Sequence, residues 1–431
     1  MKLNTKRTLY VGLAFMSICA FWQVYDGIVP LILKYTFGIG DTWSGAVMAL
    51  DNVLALFMLP LFGVLSDRTK TRIGRRMPYI LGGTAGAVLC LVLIPTADKI
   101  KSLPLFFIGL GVVLVCMATY RSPAVALMPD VTPKPLRSQG NAIINLMGAV
   151  GGIIMLAAIK FLVPKGDSPS YFPVFLFTAA VMAVCVLILA WKIKEPACVA
   201  QMEQESCAAG YDENSADGDH APADGEKMRP EVFRSLVLIL VSVVLWFMGY
   251  NAVTTHFSKY ARETWGMEGG NYAMVLMVAQ AGAILTYIPV GMIAARVGRK
   301  RTIQIGTLLL AASFGSALLF HDFSWMLFGF FALAGVAWAF INVNSYPMVV
   351  EMSRGADVGK YTGYYYTFSM AAQIVTPVLS GALMEHVGYH TLFPYSALCV
   401  LGSFVTMCFV RHGDAKPVPT KSKLEAFDVD D

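Results

Sequence analysis

Ionisable residues are rare inside the apolar segments of this chain, and the few that occur there are where chemistry is to be sought. Asp26 lies about seven residues from one end of the first apolar segment, and Asp51 about eight residues from the same-side end of the second. At a rise of ~1.5 Å per residue both carboxylates sit roughly 10 to 12 Å deep. Consecutive antiparallel helices can bring two such groups together, where lost hydration and like charge favour keeping a proton on one of them. An ionisable group inside hydrocarbon is costly unless it faces a cavity or a partner. Asp26 and Asp51 are therefore read as proton-coupling residues. Arg121, two residues before Pro123 in the fourth segment, can donate in a fork to hydroxyl groups or neutralise a carboxylate. Its calculated depth puts it in the inner half of the membrane, so snorkelling toward the interface also fits it.

The densest charge runs from Leu59 to Pro78, LPLFGVLSDRTKTRIGRRMP, where an apolar segment ends in a loop holding Asp67, Arg68, Lys70, Arg72, Arg75 and Arg76. Cations beside hydrocarbon place that loop on the cytoplasmic side. A weaker copy, PVGMIAARVGRKRT, runs from Pro289 to Thr302. A charged hairpin once in each half suggests a bundle built from repeats.

Composition supplies the elements that must position these groups. Hydrophobic residues make up 56% of the 431 and charged residues only 14%, the balance of a polytopic membrane protein. A span needs about 20 apolar residues, and twelve segments supply them, near 8–33, 43–65, 78–97, 104–127, 139–163, 172–193, 233–258, 270–295, 302–320, 323–350, 360–384 and 391–411. The expected fold class is an all-α membrane protein with twelve transmembrane helices in two pseudo-symmetric six-helix bundles. Its expected plan is an N-terminal half over 1–194, a disordered acidic cytoplasmic linker over 195–231, a C-terminal half over 232–411 and a cytoplasmic tail over 412–431. The net charge of +5 sits in short loops beside apolar segments, so it reports topology and no nucleic-acid partner. Arg72, Arg75, Arg76, Lys134, Arg137, Arg299, Lys300, Arg301 and Arg354 fall in the loops after spans two, four, eight and ten. Both termini are then cytoplasmic, in a plasma or bacterial inner membrane.

The eight cysteines show no disulfide or metal spacing. The six histidines sit in loops or near span ends, His220 in the acidic linker and His256, with Lys259, at the outer interface. No metal cluster and no nucleophile with a base partner emerges, so neither an enzyme nor a cofactor is expected.

Six plus six helices joined by a long loop, with a charged hairpin after the second span of each half, resemble the major facilitator superfamily. The hairpin GVLSDRTKTRIGRR, the run YRSPAVALMPDVTPKPLRSQGN at Tyr120 to Asn141 and GKYTGYYYTFSMAAQIVTPVLSG at Gly359 to Gly381 resemble the glycoside-pentoside-hexuronide cation symporters. Within them the likeness is to the branch with the sucrose-proton symporters. That resemblance implies symport of a glycoside, such as the disaccharides sucrose or maltose, by alternating access. The melibiose-type members carry two carboxylates for sodium where this chain has Ala55 and Leu59, which moves the expected coupling ion to H+. Their branch also has an acid where Arg121 stands.

A sugar is held by aromatic faces against its C–H patches and by amides and hydroxyls at its own hydroxyls. The substrate contacts expected are Trp22, Gln23, Asp26, Asn52, Arg121, Asn141 and Asn145 in the first half. In the second half they are Trp246, Asn251, Gln280, Asn342, Tyr365 and Gln373, with Tyr25, Tyr120, Tyr250 and Trp338 as further aromatics. Asp67 is placed to cap a neighbouring helix start. By resemblance the hairpin latches one side of the carrier, which makes Gly63, Asp67, Arg68, Arg72, Gly74 and Arg75 gating residues, with Asp130, Arg137, Glu351 and Arg354 as counterparts. The partners expected are a small-molecule sugar and the lipid bilayer, with the chain a monomer. A drug-proton exporter or lysolipid carrier of the same superfamily is the alternative, and a non-transport membrane sensor a more distant one.

Overall fold

The computed structural model describes residues 3–133, 136–166, 169–208, 230–350 and 358–412. Glu351, Arg354 and His220 therefore lie outside the described residues. The described chain is helical throughout: α1 Thr5–Leu31, α2 Asp41–Arg68, α3 Met77–Leu91, α4 Leu93–Ile100, α5 Leu103–Asp130, α6 Arg137–Leu162, α7 Phe172–Lys192, α8 Glu195–Ala208, α9 Pro230–Glu263, α10 Tyr272–Val297, α11 Arg299–Ala317, α12 Met326–Val350, α13 Val358–His386 and α14 Leu392–Phe409. Eleven helical stretches among the described residues are long and apolar enough to cross a membrane. The expected ninth span is α11, which opens on Arg299, Lys300 and Arg301 and is less apolar than the rest.

Local chemistry explains where helices start and bend. Asn4 caps α1 through its side chain, which accepts from the Arg7 N–H at 3.1 Å. Pro30 lies inside α1 and has no N–H to offer the Asp26 carbonyl one turn back. The next residues, Ile32–Thr36, continue as a π-helical turn. The expected third span is broken, since α3 ends at Leu91 and α4 resumes at Leu93.

The chain divides into two compact units, one of Met1–Ile39, Leu50–Asn214 and Glu268–Met274, the other of Gly40–Ala49, Ser215–Met267 and Val275–Asp431. Within the first, α1 packs on α6 and α7, and α3 on α5 and α7. Within the second, α9 packs on α13 and α14, and α11 on α12 and α14. The same scheme twice is an internal repeat, read here from packing.

The repeat has a residue register in its first helices. Laid side by side without gaps, Ser17 falls on Ser242, Tyr25 on Tyr250, Lys34 on Lys259 and Tyr35 on Tyr260. The buried positions coincide as well: Val11 with Leu236, Ala14 with Ile239, Ile18 with Val243, Phe21 with Trp246 and Ile28 with Val253. In this register Asp26 falls on Asn251.

Small residues bring helices together, as packing in a membrane requires. A Cβ on Gly151 of α6 would come within 2.6 Å of the Met16 carbonyl of α1. Each unit also takes in a short segment from the other half of the sequence. In the second unit Gly45 of α2 lies on the Pro377 backbone of α13, and in the first Gly270 lies on the Ile159 backbone of α6. At either place a Cβ would overlap a carbonyl, so these contacts need glycine.

The linker does not open where polarity alone puts it. Residues 195–208 form α8, with Glu195 only 1% exposed. A carboxylate saturated by backbone donors has no need of solvent, and Glu195 is such a group.

Candidate functional site

Helices α1, α2 and α5 gather the charged candidates in the first unit. The Arg121 guanidinium lies over the Trp22 ring, 5.6 Å from its centroid, a favourable cation–π placement. Asp51 feels the charge of Arg121 and accepts a hydrogen bond from Asn52 Nδ2 at 2.9 Å. Asp26 in turn feels the charge of Asp51. Trp22 and Asp26 are one turn apart and share a face of α1, and the Trp22 Nε1 donor is buried without a protein partner. Arg121 thus shares an electrostatic neighbourhood with Asp51, and Asp51 links the charged groups of α1 and α5. The α5 helix runs on to Asp130, three residues past the expected end, so Arg121 lies that much further from the end of its helix.

Aromatic packing surrounds this cluster. Phe21, Trp22 and Tyr25 pack on one another, Trp22 and Tyr25 edge to face at 5.4 Å. Tyr120 is buried, with its hydroxyl 3.4 Å from Ser17 Oγ. Gln23, Asn141 and Asn145 are half-buried on α1 and α6.

The second unit gathers rings instead of charges. Tyr250 and Trp338 stack at 3.7 Å with 10° between their planes, and Phe247 meets both Trp338 and Tyr365 edge to face. The Tyr365 hydroxyl is 2.9 Å from Ser345 Oγ. Gln280 and Gln373 are half-buried, and Asn342 is buried beside this group on α12. Pro377 leaves the Gln373 carbonyl without its helical donor. Asn251 holds a buried Nδ2 with no protein partner. Trp246, expected among the substrate contacts, is buried like its counterpart Phe21, and its Nε1 donor has no protein partner.

At the hairpin the expected residues are present but the roles are redistributed. Arg76 carries the network: it is 6% exposed, its guanidinium pairs with Asp67, donates to Asp130 Oδ2 at 2.8 Å and reaches Ser66 Oγ and the Gly63 carbonyl. Arg75 pairs with Asp130 Oδ1 at 2.7 Å. The helix-capping role expected of Asp67 belongs to Glu195, whose carboxylate accepts the backbone N–H of Arg75, Arg76 and Met77 at 2.8 to 3.1 Å. That carboxylate sits at the start of α3, where the helix dipole favours it, while Asp67 is 53% exposed. Gly74 has φ +119 where the chain passes under Glu195, which would clash with any Cβ. Arg68 and Arg72 are exposed, and Arg137 donates to the Thr132 carbonyl at 3.3 Å. In the second hairpin Lys300 Nζ caps the end of α14, donating to the Cys408 and Val410 carbonyls at 3.3 and 2.6 Å. The sequence did offer one sign of Glu195, since Glu195-Pro196 reads as a helix start.

Lys259, expected at the outer interface, is 0% exposed within the protein. Within the second unit its Nζ donates to Asp41 Oδ1 at 2.7 Å and Ser44 Oγ at 3.3 Å, while Tyr389 donates to Asp41 Oδ2 at 2.6 Å. His256 is equally buried, its Nε2 3.0 Å from the Pro377 carbonyl. Glu385 of α13 accepts the Thr42 N–H at 2.8 Å and so caps the start of α2.

Comparison with known proteins fits this arrangement of helices. The family model described as Major Facilitator Superfamily matches residues 11–284 and again 258–429. The Multidrug resistance protein MdtG of Escherichia fergusonii is 21% identical over 422 residues, 94% of each chain. The Sucrose transport protein SUC3 of Arabidopsis thaliana is 26% identical over 169 residues, 35% of this chain and 28% of that one. Solute carrier family 45 member 3 of Homo sapiens is 29% identical over 147 residues, 31% of this chain and 26% of that one. Among solved structures, a POT family transporter in complex with 5-aminolevulinic acid superposes with a TM-score of 0.71 at 11% identity, over 94% of this chain and 96% of that chain. The nucleoside transporter NupG gives 0.64 at 15% identity, over 95% of this chain and all of that chain. The repeat in packing, the apolar helices and the double family match agree, and the chain belongs to the Major Facilitator Superfamily, as a multi-pass membrane transporter.

Proposed function

We propose that this chain is a proton-coupled symporter of a glycoside, a disaccharide such as sucrose or maltose, in the glycoside-pentoside-hexuronide branch of its superfamily. The observation that carries the reading is the cluster of Asp26, Asp51, Arg121 and Trp22 in the first unit. Two carboxylates and one guanidinium leave one negative charge over, which a single proton neutralises. Protonation of Asp51 releases Arg121 from an ionic neighbour and frees its donors for hydroxyl groups. Proton and sugar then favour each other's binding by the same free energy, and alternating access delivers both to the other side. The partial match to a sucrose transport protein supports the substrate class. The basic hairpin between α2 and α3 supports a cytoplasmic placing of that end and of both termini, in a plasma or bacterial inner membrane, with the chain acting as a monomer and needing no cofactor besides the coupling proton.

The test is uptake of labelled sucrose and maltose into de-energised vesicles under an imposed acid-outside gradient. Gradient-driven accumulation is the expected result, and Asp26→Asn with Asp51→Asn together remove it. Accumulation that survives the double substitution overturns the coupling assignment. A second reading, export of a drug in exchange for protons, draws on the full-length match to MdtG, and net movement of a cationic dye out of the cell would favour it.

A further inference from the structure

The register between α1 and α9 carries a consequence for the substrate. From Ser17 to Tyr35 and from Ser242 to Tyr260 the two helices share four identical residues and the same buried face. The register is therefore set by packing and does not depend on the pair at its centre. That pair is Asp26 and Asn251, an acid and its near-isosteric amide, each following a tyrosine. Asp26 feels a second carboxylate, Asp51, which in turn feels the Arg121 guanidinium. Around Asn251 the neighbouring Tyr250 is stacked on Trp338 at 3.7 Å. The Asn251 Nδ2 is buried with no protein partner, and a buried amide donor left without an acceptor is costly. A ligand that brings its own acceptor removes that cost.

We propose that α1 and α9 present one binding device twice, ionisable at Asp26 and neutral at Asn251, and that Asn251 holds a hydroxyl oxygen of an uncharged polyhydroxy substrate beside the Tyr250–Trp338 stack. The division follows from chemistry. An amide donates and accepts at every pH, so it holds a neutral ligand without exchanging protons, whereas a carboxylate in the same position ties binding to proton supply. The proposal rests on the glycoside reading above.

The test uses the purified full-length chain in nanodiscs, with sucrose and maltose as probes and equilibrium binding measured across a range of pH. Asn251→Ala is expected to weaken binding about tenfold at every pH, leaving the shape of the pH profile as in the wild type. Asn251→Asp, which preserves volume and guards against misfolding in the alanine variant, is expected to add a second pH-dependent step, with good binding only on the acid side. Asp26→Asn is expected to flatten the profile instead. Sugar binding that is indifferent to both substitutions of Asn251 overturns this proposal alone. A wild-type chain that binds neither sugar at any pH overturns the glycoside reading and this proposal with it.

Discussion

The stretch Ser17–Tyr35 of the first half and Ser242–Tyr260 of the second begin and end on the same residues, yet they differ at three places that matter. Asp26 stands opposite Asn251, Pro30 opposite Thr255, and a half-buried Lys34 opposite a wholly buried Lys259. The first copy is bent into a π turn after its proline, and holds its acid among other charges. The second runs unbroken from Pro230 to Glu263, and its one buried cation is matched by Asp41. One scaffold thus takes two forms: an acid and a π turn in one copy, an amide and an unbroken helix in the other.

The lysines give the strongest way to break that contrast. Lys259→Met leaves the Asp41 carboxylate buried without its cation, an expected loss of about 3–5 kcal/mol of stability. Lys34→Met, at a half-buried site with its ammonium 5.6 Å from the Tyr35 ring centroid, is expected to cost about 1 kcal/mol or less. Thermal unfolding of the purified chain measures both, and adding Asp41→Asn to Lys259→Met should recover most of the larger loss. Equal costs at the two lysines would mean that the copies do not differ in this way.

The aromatic rings sharpen the contrast at smaller scale. Trp338→Leu removes the stack with Tyr250, worth about 0.5–1.5 kcal/mol beyond area, so sugar binding should weaken by about twofold to tenfold with its pH dependence unchanged. Trp22→Leu, which removes the ring beneath Arg121, should alter the pH dependence. A binding assay in which both variants shift the same quantity would contradict the division of roles. The smallest effect belongs to the matched serines. Ser17 approaches Tyr120 and Ser242 approaches Thr406, and replacing either by alanine should cost about 1 kcal/mol. A loss at one serine and none at the other would undo the register.

Much of this was readable from the amino acids, for a physical reason. A charge in an apolar segment is conspicuous, so Asp26, Asp51, Arg121 and the hairpin stood out before any helix was placed. Their neighbourhood did not, because each helix boundary is uncertain by a few residues and each residue moves a side chain by ~1.5 Å in depth. Glu195 and Lys259 were misread for the opposite reason. An acid beside a polar tract and a lysine near a helix end look solvated, and only their distant partners reveal burial. Glu195 meets Arg76 across 119 positions of the chain and Lys259 meets Asp41 across 218. Local pattern carries no trace of such pairs. The repeat in α1 and α9 is faint in the sequence because four matched residues are scattered over a long apolar stretch, and burial on matching faces is what supports them.

The crossed glycine contacts bear on how the molecule is made. Synthesis delivers α1 to α7 to the membrane well before residues 268–274, which the first unit needs to be complete. Until then Ile159 has no Gly270 to lie against, and the Lys160 ammonium has no Asn271 side chain to meet. The N-terminal helices therefore lack these contacts until a segment more than a hundred residues after Lys160 has been translated.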